Sequence, residues 1–311
     1  MVSQLLNGVQ GMSSLIAIDW GTSSFRAYCL NESGKIFSAI NSPLGILHVE
    51  KDEFAIILAS EVSRLEGKQE NSPIILSGMI TSKNGWVEAP YVECPASCSQ
   101  LAEHLVLYED DTLGPLWFVP GLRQFTPQPD VIRGEETQIA GLEQVGEHVV
   151  ILPGTHSKWV HMQDYTVMSF STCMTGDVYS ALLQNTILST AADGSWTQTA
   201  FIAGLQAAQQ YHKQQKSLLS TLFQTRAQEI LGLAPAKEGK GFLSGLLIGT
   251  EICDALSLGY DSKRPYTIIG EDTLVLLYRQ ALELYGKSSM VPKYNPAAKG
   301  LYRIARAKNL I

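Results

Sequence analysis

Apolar and polar positions along the chain predict strands and helices in turn. Short apolar runs bounded by turn residues indicate strands. The first three are LIAID, FRAYCL and KIFSAI, with NESG as the turn between the second and the third. Over residues 52–66 the spacing changes, because Phe54, Ile57, Val62 and Leu65 recur with a helical period. This segment is therefore predicted to be the first helix.

The same patterns continue to the end of the chain. Further strands are predicted at PIILSGMI, LWFVPGL, HVVILPG, KWVHM, YTVMSFS and YTIIG. Helices are predicted at CSQLAEHLVLY, at RGEETQIAGLEQV, over most of residues 177–258, at DTLVLLYRQALELYG and at PAAKGLYRIARAKN. Strands that alternate with helices in this way predict an α/β fold built from packed layers.

Two distant segments of the chain repeat each other. GTSS at residues 21–24 matches GTHS at residues 154–157, and each follows an apolar strand and precedes a predicted hairpin. A repeat of this kind predicts two similar domains with a cleft between them. We expect a loose leader at residues 1–14, an N-terminal domain at residues 15–146 and a C-terminal domain at residues 147–311.

The two repeated turns predict a clamp for a polyphosphate. Glycine lets the backbone approach phosphate closely, while N–H groups and hydroxyls donate hydrogen bonds to the phosphate oxygens. The P-loop pattern GxxxxGK[ST] is absent from the sequence. Asp19 ends the first strand, where it is placed to hold a hydrated Mg²⁺. The candidate phosphate-binding residues are Gly21, Thr22, Ser23, Ser24, Gly154, Thr155, His156 and Ser157.

Composition excludes several classes of protein. The 311 residues carry a formal net charge of −7 with scattered basic residues, which argues against a nucleic-acid surface. No apolar run in the sequence is long enough to predict a membrane span. The first residues lack the basic and apolar regions of a signal peptide. Five cysteines without a CxxC pair predict reduced thiols rather than zinc ligands, and hence a cytoplasmic protein.

Five segments resemble the actin/hexokinase/sugar-kinase superfamily: DWGTSS, LPGTHSKW, RGEETQIAGL, TIIGEDTLVLLYRQALELYG and AAKGLYRIA. The resemblance implies two ribonuclease H-like domains around a cleft, with ATP and Mg²⁺ as cofactors. It also implies that Gly270, in the adenosine motif, contacts the nucleotide. The sequence departs from the superfamily pattern twice. Leu152 stands where Asp19 would recur, and Glu271 follows Gly270 where a second glycine is common.

Four further blocks resemble the 2-dehydro-3-deoxygalactonokinase family: SGMITSKNGWVEAPYVECPAS, PDVIRGEETQIAGL, STCMTGDVYSALLQNTIL and FLSGLLIGTEI. This resemblance implies transfer of the ATP γ-phosphate to the terminal 6-hydroxyl of 2-dehydro-3-deoxy-D-galactonate, in D-galactonate catabolism. The sugar-acid site is then expected in the N-terminal domain. Family members tend to differ from this chain at Thr81, at Lys83 with Asn84, and at Asp177, which leaves the exact sugar acid open.

A kinase of this type needs a carboxylate to deprotonate the attacking hydroxyl. Glu135 and Glu136 lie at the start of a predicted helix, where related carbohydrate kinases place a base, and Asp177 is an alternative. Ile139 and Leu142 fall on the same helical row as Glu135. The pattern therefore predicts that Glu135 is the base and that Glu136 supports the helix start or a neighbouring arginine.

The anionic end of the substrate is expected to bind a cation. The candidates are Arg26, Lys83, Arg123 and Arg133, with Trp86 and Tyr91 as aromatic lining. Other functions remain open at this point: a kinase of another sugar or sugar acid, a phosphatase or exopolyphosphatase-like enzyme, and a non-enzymatic relative. The last is disfavoured because no helix-turn-helix or peptide-binding extension is evident. A small-molecule sugar acid is the expected partner, and a homodimer remains open.

Overall fold

The computed structural model describes residues 14–191, 196–233 and 239–311. The predicted leader lies outside the described residues, apart from Ser14. The chain forms two compact units. Of the described residues, unit 1 contains those up to Val145, together with Gln163–Ser169 and Lys293–Ile311, and unit 2 contains those within Gly146–Met162 and Phe170–Pro292.

The strands follow one another in the order β1 (Leu15–Trp20), β2 (Phe25–Leu30), β3 (Ile36–Ser42), β4 (Ile74–Ser77), β5 (Tyr91–Glu93), β6 (Ala96–Ser97), β7 (Val106–Asp110), β8 (Gly114–Phe118), β9 (Gly121–Gln124), β10 (Asp130–Ile132), β11 (Glu147–Leu152), β12 (Ser157–Gln163), β13 (Thr166–Cys173), β14 (Tyr266–Ile268) and β15 (Ser289–Met290). The helices are α1 (Phe54–Ser63), α2 (Cys98–Glu103), α3 (Glu135–Ala140), α4 (Thr175–Asn185), α5 (Leu188–Ala191), α6 (Gln198–Lys213), α7 (Leu218–Ile230), α8 (Gly239–Ala255), α9 (Asp272–Leu284) and α10 (Pro296–Ala307).

The main sheet of unit 1 has the strand order β3-β2-β1-β4-β8-β7. The first three strands are antiparallel, whereas β4 and β8 run parallel to β1. Asp19 and Ser77 are paired at the ends of β1 and β4, so the loops that follow these strands leave from one edge of the sheet. The core beneath the sheet contains Trp20, Phe25 and Phe54. A second, three-stranded sheet has the order β10-β9-β5.

The C-terminal helix α10 belongs to unit 1, although the sequence assigned its residues to the second domain. It lies against α3 with the two backbones nearly touching, because a Cβ added at Gly300 would come within 3.0 Å of the Gly141 nitrogen. Arg303 donates from Nη1 to the Ala140 carbonyl at 2.8 Å and also to that of Leu142. Two features hold α10 in unit 1: the glycines where it crosses α3, and the hydrogen bonds from Arg303 to the end of α3. The periodicity of strands and helices in the sequence does not predict this packing.

Unit 2 repeats the sheet of unit 1. Five neighbouring strands of the second six-stranded sheet follow the order β13-β12-β11-β14-β15, and this order matches β3-β2-β1-β4-β8 of the first. The sixth strand, β6, pairs with the first part of β13, which is counted in unit 1. In both units the first strand pairs parallel with the fourth. The predicted internal repeat is therefore confirmed, since the GTSS loop and the GTHS loop each follow the first strand of the same topology.

One helical segment of unit 2, Gly239–Tyr260, is long and apolar enough to cross a membrane, although no membrane span was predicted from the sequence. In the described structure 67% of its apolar window is buried. The helix is a core element that packs on α6, where a Cβ at Gly204 would come within 2.7 Å of the Leu246 nitrogen. Its apolar composition is accounted for by this packing.

Two predicted helices are shorter in the structure. The helix predicted at CSQLAEHLVLY ends at Glu103, and its last residues begin β7, which pairs antiparallel with β8 from Val106 to Asp110. The helix predicted at RGEETQIAGLEQV covers only Glu135–Ala140. In the first case, pairing with the next strand of the chain in a hairpin replaced a local helical preference.

Candidate active site

Asp19 and Arg26 face each other across the β1–β2 pair. Asp19 is 7% exposed, and its Oδ2 accepts a hydrogen bond from Nη1 of Arg26 at 3.1 Å. Burial raises the pKa of Asp19 above its ordinary value, Arg26 opposes that rise, and the charge of Glu135 adds to it. Two carboxylates and a guanidinium thus interact electrostatically at the end of β1. The role of Arg26 in binding the substrate anion stays a prediction. In this structure its guanidinium is already hydrogen-bonded to Asp19.

The GTSS loop begins immediately after β1. The Gly21 nitrogen donates to the Ser24 carbonyl at 2.9 Å, which closes the turn, and the side chains of Thr22 and Ser23 are exposed. Gly45 packs against the other side of this loop, where an added Cβ would collide with the Thr22 and Ser23 backbone. Sequence reasoning did not identify Gly45, because nothing in the local pattern shows that its backbone meets a loop more than twenty residues away.

Two glycines place the start of α3 beside Asp19. Gly78 follows β4 with φ 92°, and a Cβ there would come 2.7 Å from the Trp20 carbonyl oxygen and 3.3 Å from Oδ1 of Asp19. Gly134 precedes α3 with φ 103°, and its added Cβ would lie 3.2 Å from the Gly78 Cα. Residues other than glycine rarely adopt such φ values. Glycine at both positions therefore lets the α3 start approach the end of β1.

Glu136 is the buried acid of α3, with 1% exposure. Its Oε2 accepts a hydrogen bond from the Gly134 nitrogen at 2.6 Å, while its Oε1 is buried without a hydrogen-bond partner among the described residues. Burial, followed by the charge of Glu135, raises the pKa of Glu136 to about 8. The inference that Glu135 begins the inward row is wrong as to burial, because Glu136 packs inward and Glu135 stays partly exposed. Glu136 does support the helix start, as predicted.

Arg133 is held by unit 1 itself. Its Nη1 donates to the carbonyl and to Oγ1 of Thr81, both at 2.6 Å, and its Nη2 donates to the Ala89 carbonyl at 2.8 Å. The guanidinium carbon also lies 4.2 Å from the centre of the Tyr91 ring. These contacts fix the loop between β4 and β5. Arg133 therefore has a structural role within unit 1, and the predicted contacts of Arg133 and Tyr91 with the substrate stay a prediction.

Two other predicted substrate residues also have internal partners. The rings of Trp86 and Phe118 pack perpendicular to each other with centroids 5.7 Å apart, and Trp86 belongs to the margin of the core. Arg123 lies 3.7 Å from Glu93 in an exposed ion pair. Neither contact was visible in the sequence, because the partners come from segments that are about thirty residues apart along the chain. Lys83, by contrast, is exposed on the loop that Arg133 fixes.

The GTHS loop of unit 2 exposes Thr155 and His156. The predicted phosphate contact of the Ser157 hydroxyl is wrong, because Ser157 is 0% exposed and its Oγ lies 2.9 Å from the Tyr278 hydroxyl. Ser157 is the first residue of β12, and its side chain points away from solvent, toward Tyr278 of α9. Lys158 is buried as well and donates from Nζ to the His156 carbonyl at 2.8 Å.

Asp177 lies beside this same loop. Its backbone nitrogen donates to the Thr155 carbonyl at 2.9 Å, and its Oδ2 lies 3.6 Å from Nε2 of His156. Gly176 allows the approach, since a Cβ there would come 2.5 Å from the Gly154 carbonyl oxygen. The start of α4 is thus packed onto the GTHS loop, which places the predicted alternative base among the candidate phosphate-binding residues of unit 2.

A cavity of about 290 Å³ opens next to the GTHS loop within unit 2. Its walls are mostly apolar and aromatic, a composition typical of sites for small molecules and cofactors. The lining residues are Gly154, Thr175, Gly176, Tyr179, Trp196, Ser244, Leu247, Ile248, Thr273, Leu274, Leu277 and Tyr278.

Gly270 and Glu271 lie at the start of α9. A Cβ at Gly270 would come 3.2 Å from the Pro153 carbonyl oxygen, so this glycine supports the strand end that leads into the GTHS loop. Glu271 caps the helix, because its Oε2 accepts hydrogen bonds from the nitrogens of Thr273 at 3.0 Å and Leu274 at 3.2 Å. These bonds lower the pKa of Glu271. The residue that replaces the second glycine therefore stabilises the helix that carries part of the cavity wall.

Comparison with known proteins agrees with this architecture. The family model of 2-keto-3-deoxy-galactonokinase matches residues 19–304. The probable 2-dehydro-3-deoxygalactonokinase DgoK1 of Rhizobium meliloti (strain 1021) is 36% identical over 94% of this chain and 96% of its own. The 2-dehydro-3-deoxygalactonokinase of Escherichia coli (strain K12) is 31% identical over 87% of this chain and 90% of its own.

Two solved structures are similar to this chain, one in sequence and fold and the other in fold alone. The crystal structure of a candidate 2-dehydro-3-deoxygalactonokinase from Sinorhizobium meliloti superimposes with a TM-score of 0.84 at 35% identity, covering 94% of this chain and 98% of that one. Xylulose kinase from Lactobacillus acidophilus has a TM-score of 0.50 at 10% identity, over 96% and 90% of the two chains. The second likeness concerns the fold alone, and the predicted actin/hexokinase-type α/β class is confirmed. The chain belongs to the 2-keto-3-deoxy-galactonokinase family.

Proposed function

We propose that this protein uses ATP to phosphorylate the terminal 6-hydroxyl of 2-dehydro-3-deoxy-D-galactonate. The observation that carries the proposal is the arrangement at the end of β1. There Gly78 and Gly134 bring the start of α3, which carries Glu135, beside the buried Asp19 carboxylate, and the exposed residues Thr22 and Ser23 follow Asp19 closely along the chain. In-line phosphoryl transfer needs carboxylates and phosphate-binding donors at one place.

Phosphate binding is assigned to the two repeated loops. The exposed side chains of Thr22 and Ser23 in unit 1, and of Thr155 and His156 in unit 2, are available as donors. The loop backbones are fixed from behind, by Gly45 in unit 1 and by Gly176 in unit 2. Fixed donors reorganise little when charge develops on the transferred group, which is the property that such catalysis requires.

Magnesium fits this site as a partner of the substrate phosphates. The described residues contain no group of three or more His, Cys, Asp or Glu side chains that could hold a metal by themselves. Mg²⁺ usually takes one or two carboxylates and completes its shell with water and phosphate oxygens, so Asp19 is a sufficient protein ligand. When bound, the ion would neutralise charge on the phosphates.

Glu135 is proposed as the general base. It is partly exposed at the first turn of α3, and its Oε2 accepts a hydrogen bond from the backbone nitrogen of Arg133 at 3.1 Å. This position leaves it able to meet a sugar hydroxyl, which the buried Glu136 cannot do. Glu135 would accept the proton of the 6-hydroxyl as the oxygen attacks the γ-phosphate. Asp177 is assigned to support of the GTHS loop, on the basis of its contacts there.

The substrate carboxylate is assigned to Lys83. Arg133 and Arg123 are engaged with the protein, and Arg26 is hydrogen-bonded to Asp19. Lys83 is the exposed predicted cation on the loop between β4 and β5. The cavity of unit 2 is assigned to the base and ribose of ATP. Its walls are aromatic and aliphatic, and they include Gly154 of the GTHS loop, which is assigned to the phosphates.

A coupled assay of ADP release tests the proposal. The purified protein would be incubated with ATP, Mg²⁺ and a panel of sugar acids, with a reaction lacking acceptor as the control. We expect ADP only with 2-dehydro-3-deoxy-D-galactonate or a close stereoisomer. ADP release at the same rate without acceptor would instead indicate a hydrolase. Turnover confined to an unrelated sugar would overturn the substrate assignment.

A further inference from the structure

A buried carboxylate lies behind the cavity of unit 2 without lining it. Glu251 projects from α8 and is 5% exposed. The helix packs so closely on α6 that a Cβ at Gly245 would come 2.9 Å from the Leu205 nitrogen. A charged group in such an apolar helix is costly unless several donors stabilise it, so its partners indicate why the chain keeps an acid there.

Glu251 receives hydrogen bonds from three separate elements. Its Oε1 accepts from Nε1 of Trp159 on β12 at 2.8 Å, and its Oε2 accepts from the Tyr278 hydroxyl on α9 at 2.6 Å. The Thr175 hydroxyl, at the start of α4, also donates to Oε2. Tyr278 in turn contacts Oγ of Ser157, the last residue of the GTHS loop. The carboxylate therefore ties β12, α4 and α9 to α8.

These partners are the parts of unit 2 that form the proposed nucleotide site. Thr175 and Tyr278 line the cavity, and Gly176, which follows Thr175, lines it too and supports the GTHS loop. Burial raises the pKa of Glu251, and the hydrogen bonds from Thr175, Tyr278 and Trp159 oppose that rise. Indole N–H can only donate, so the acceptor side of this network depends on the carboxylate oxygens.

We propose that Glu251 is a positioning residue for nucleotide binding, one that holds the GTHS loop and two walls of the cavity in a single arrangement without touching the ligand. This inference rests on the proposed function, in which the cavity binds the base and ribose of ATP. Loss of even one acceptor oxygen breaks the network and frees Thr175, Tyr278 and Ser157 to move independently. Nucleotide affinity falls, whereas sugar-acid affinity, assigned to unit 1, does not.

The test compares Glu251→Gln with the wild-type protein. The glutamine keeps the shape but places an N–H where a donor already points. We expect the dissociation constant of ADP, measured by calorimetry, to rise about tenfold, the scale of coupling within one hydrogen-bond network. The Michaelis constant for ATP rises in parallel, while that for the sugar acid changes less than about twofold. A purely structural role would instead lower the active fraction, and hence the apparent kcat, without separating the two Michaelis constants.

Tyr278→Phe and Trp159→Phe keep the test decisive if Glu251→Gln does not fold. Each removes one donor and keeps an aromatic ring, and each is expected to weaken ADP binding. Unchanged ADP affinity in these variants, or in a folded Glu251→Gln, overturns the positioning role. Leu247→Trp fills the cavity and serves as the control for the underlying assignment. If Leu247→Trp leaves ADP binding intact, the cavity does not bind the nucleotide and the proposed function fails at that step. If it abolishes binding while Glu251→Gln does not, only the positioning inference fails.

Discussion

Nη1 of Arg26 lies 3.1 Å from Oδ2 of Asp19, directly across the first hairpin of unit 1. The contact joins a partly exposed guanidinium to a carboxylate that burial would otherwise favour as the neutral acid. Arg26 thereby lowers the pKa of Asp19, although burial keeps the net shift upward. The pair provides a direct way to test whether the ionised form of Asp19 is needed for activity.

Arg26→Met should move the acid limb of the activity profile to higher pH. Without the guanidinium the pKa of Asp19 rises further, so the carboxylate is protonated, and activity lost, at a higher pH as the solution is acidified. The measurement is kcat/KM as a function of pH. Arg123→Met, which breaks only the exposed pair with Glu93, is the matched control. An acid limb that stays in place in Arg26→Met would mean that Asp19 does not titrate in the catalytic step.

Asp19→Asn should leave the fold intact and remove most of the activity. We expect a loss on the order of 3–5 kcal/mol of transition-state stabilisation, the scale for a metal-organising carboxylate. Magnesium titrations of the mutant and wild-type enzymes measure the effect, and circular dichroism checks the fold. Near-normal turnover of the mutant at any magnesium concentration would exclude Asp19 from the site.

Glu135→Gln should lower kcat by about 10²–10⁴, the contribution of a positioned general base, with small changes in the Michaelis constants. Glu136→Gln is the matched control, since the two acids are adjacent but only Glu135 is partly exposed. We expect the control to retain much more activity than Glu135→Gln. The reverse result, an active Glu135→Gln and an inactive Glu136→Gln, would give the role of base to the buried acid.

Glu136 should also make the protein less stable as pH rises. Its pKa is about 8 in the folded chain against an ordinary value of 4.5, so the folded state binds the proton more tightly than the unfolded state. The contribution of Glu136 to the free energy of unfolding is fully present below pH 4.5, the ordinary pKa. It decreases between pH 4.5 and pH 8, by up to about 1.4 kcal/mol per pH unit. Glu136→Gln cannot titrate. Denaturant unfolding should show its stability relative to wild type increasing across this range, and a constant difference would argue against the raised pKa.

Lys83→Ala should raise the Michaelis constant for the sugar acid and leave that for ATP unchanged. Loss of a charge-assisted contact to a carboxylate typically costs about 1.5–3 kcal/mol, or roughly a 10- to 150-fold change. Arg123→Ala removes an exposed cation of the same unit and serves as the control. Equal effects of the two substitutions would indicate a general electrostatic influence rather than a specific contact with Lys83.

The sequence by itself determined the α/β class, the repeated loops and the position of Asp19 at a strand end. Each of these depends on short-range properties: apolar periodicity for the strands and helices, and the small residues of GTSS and GTHS for the loops. The repeat carried the topology as well, because the same strand–loop–hairpin pattern led to the same sheet order in both units. The family resemblance then supplied the chemistry that the composition alone could not specify.

Tertiary structure decided which of several equivalent side chains face the site. Thr155 and Ser157 are both small hydroxyls of one loop, but Ser157 begins β12 and turns inward to Tyr278. Glu135 and Glu136 are the same acid on the same helix turn, yet only Glu136 is buried. Arg133 is committed to Thr81 and Ala89, which lie more than forty residues away. Burial and partnership arise from contacts between distant segments, and local sequence patterns do not encode them.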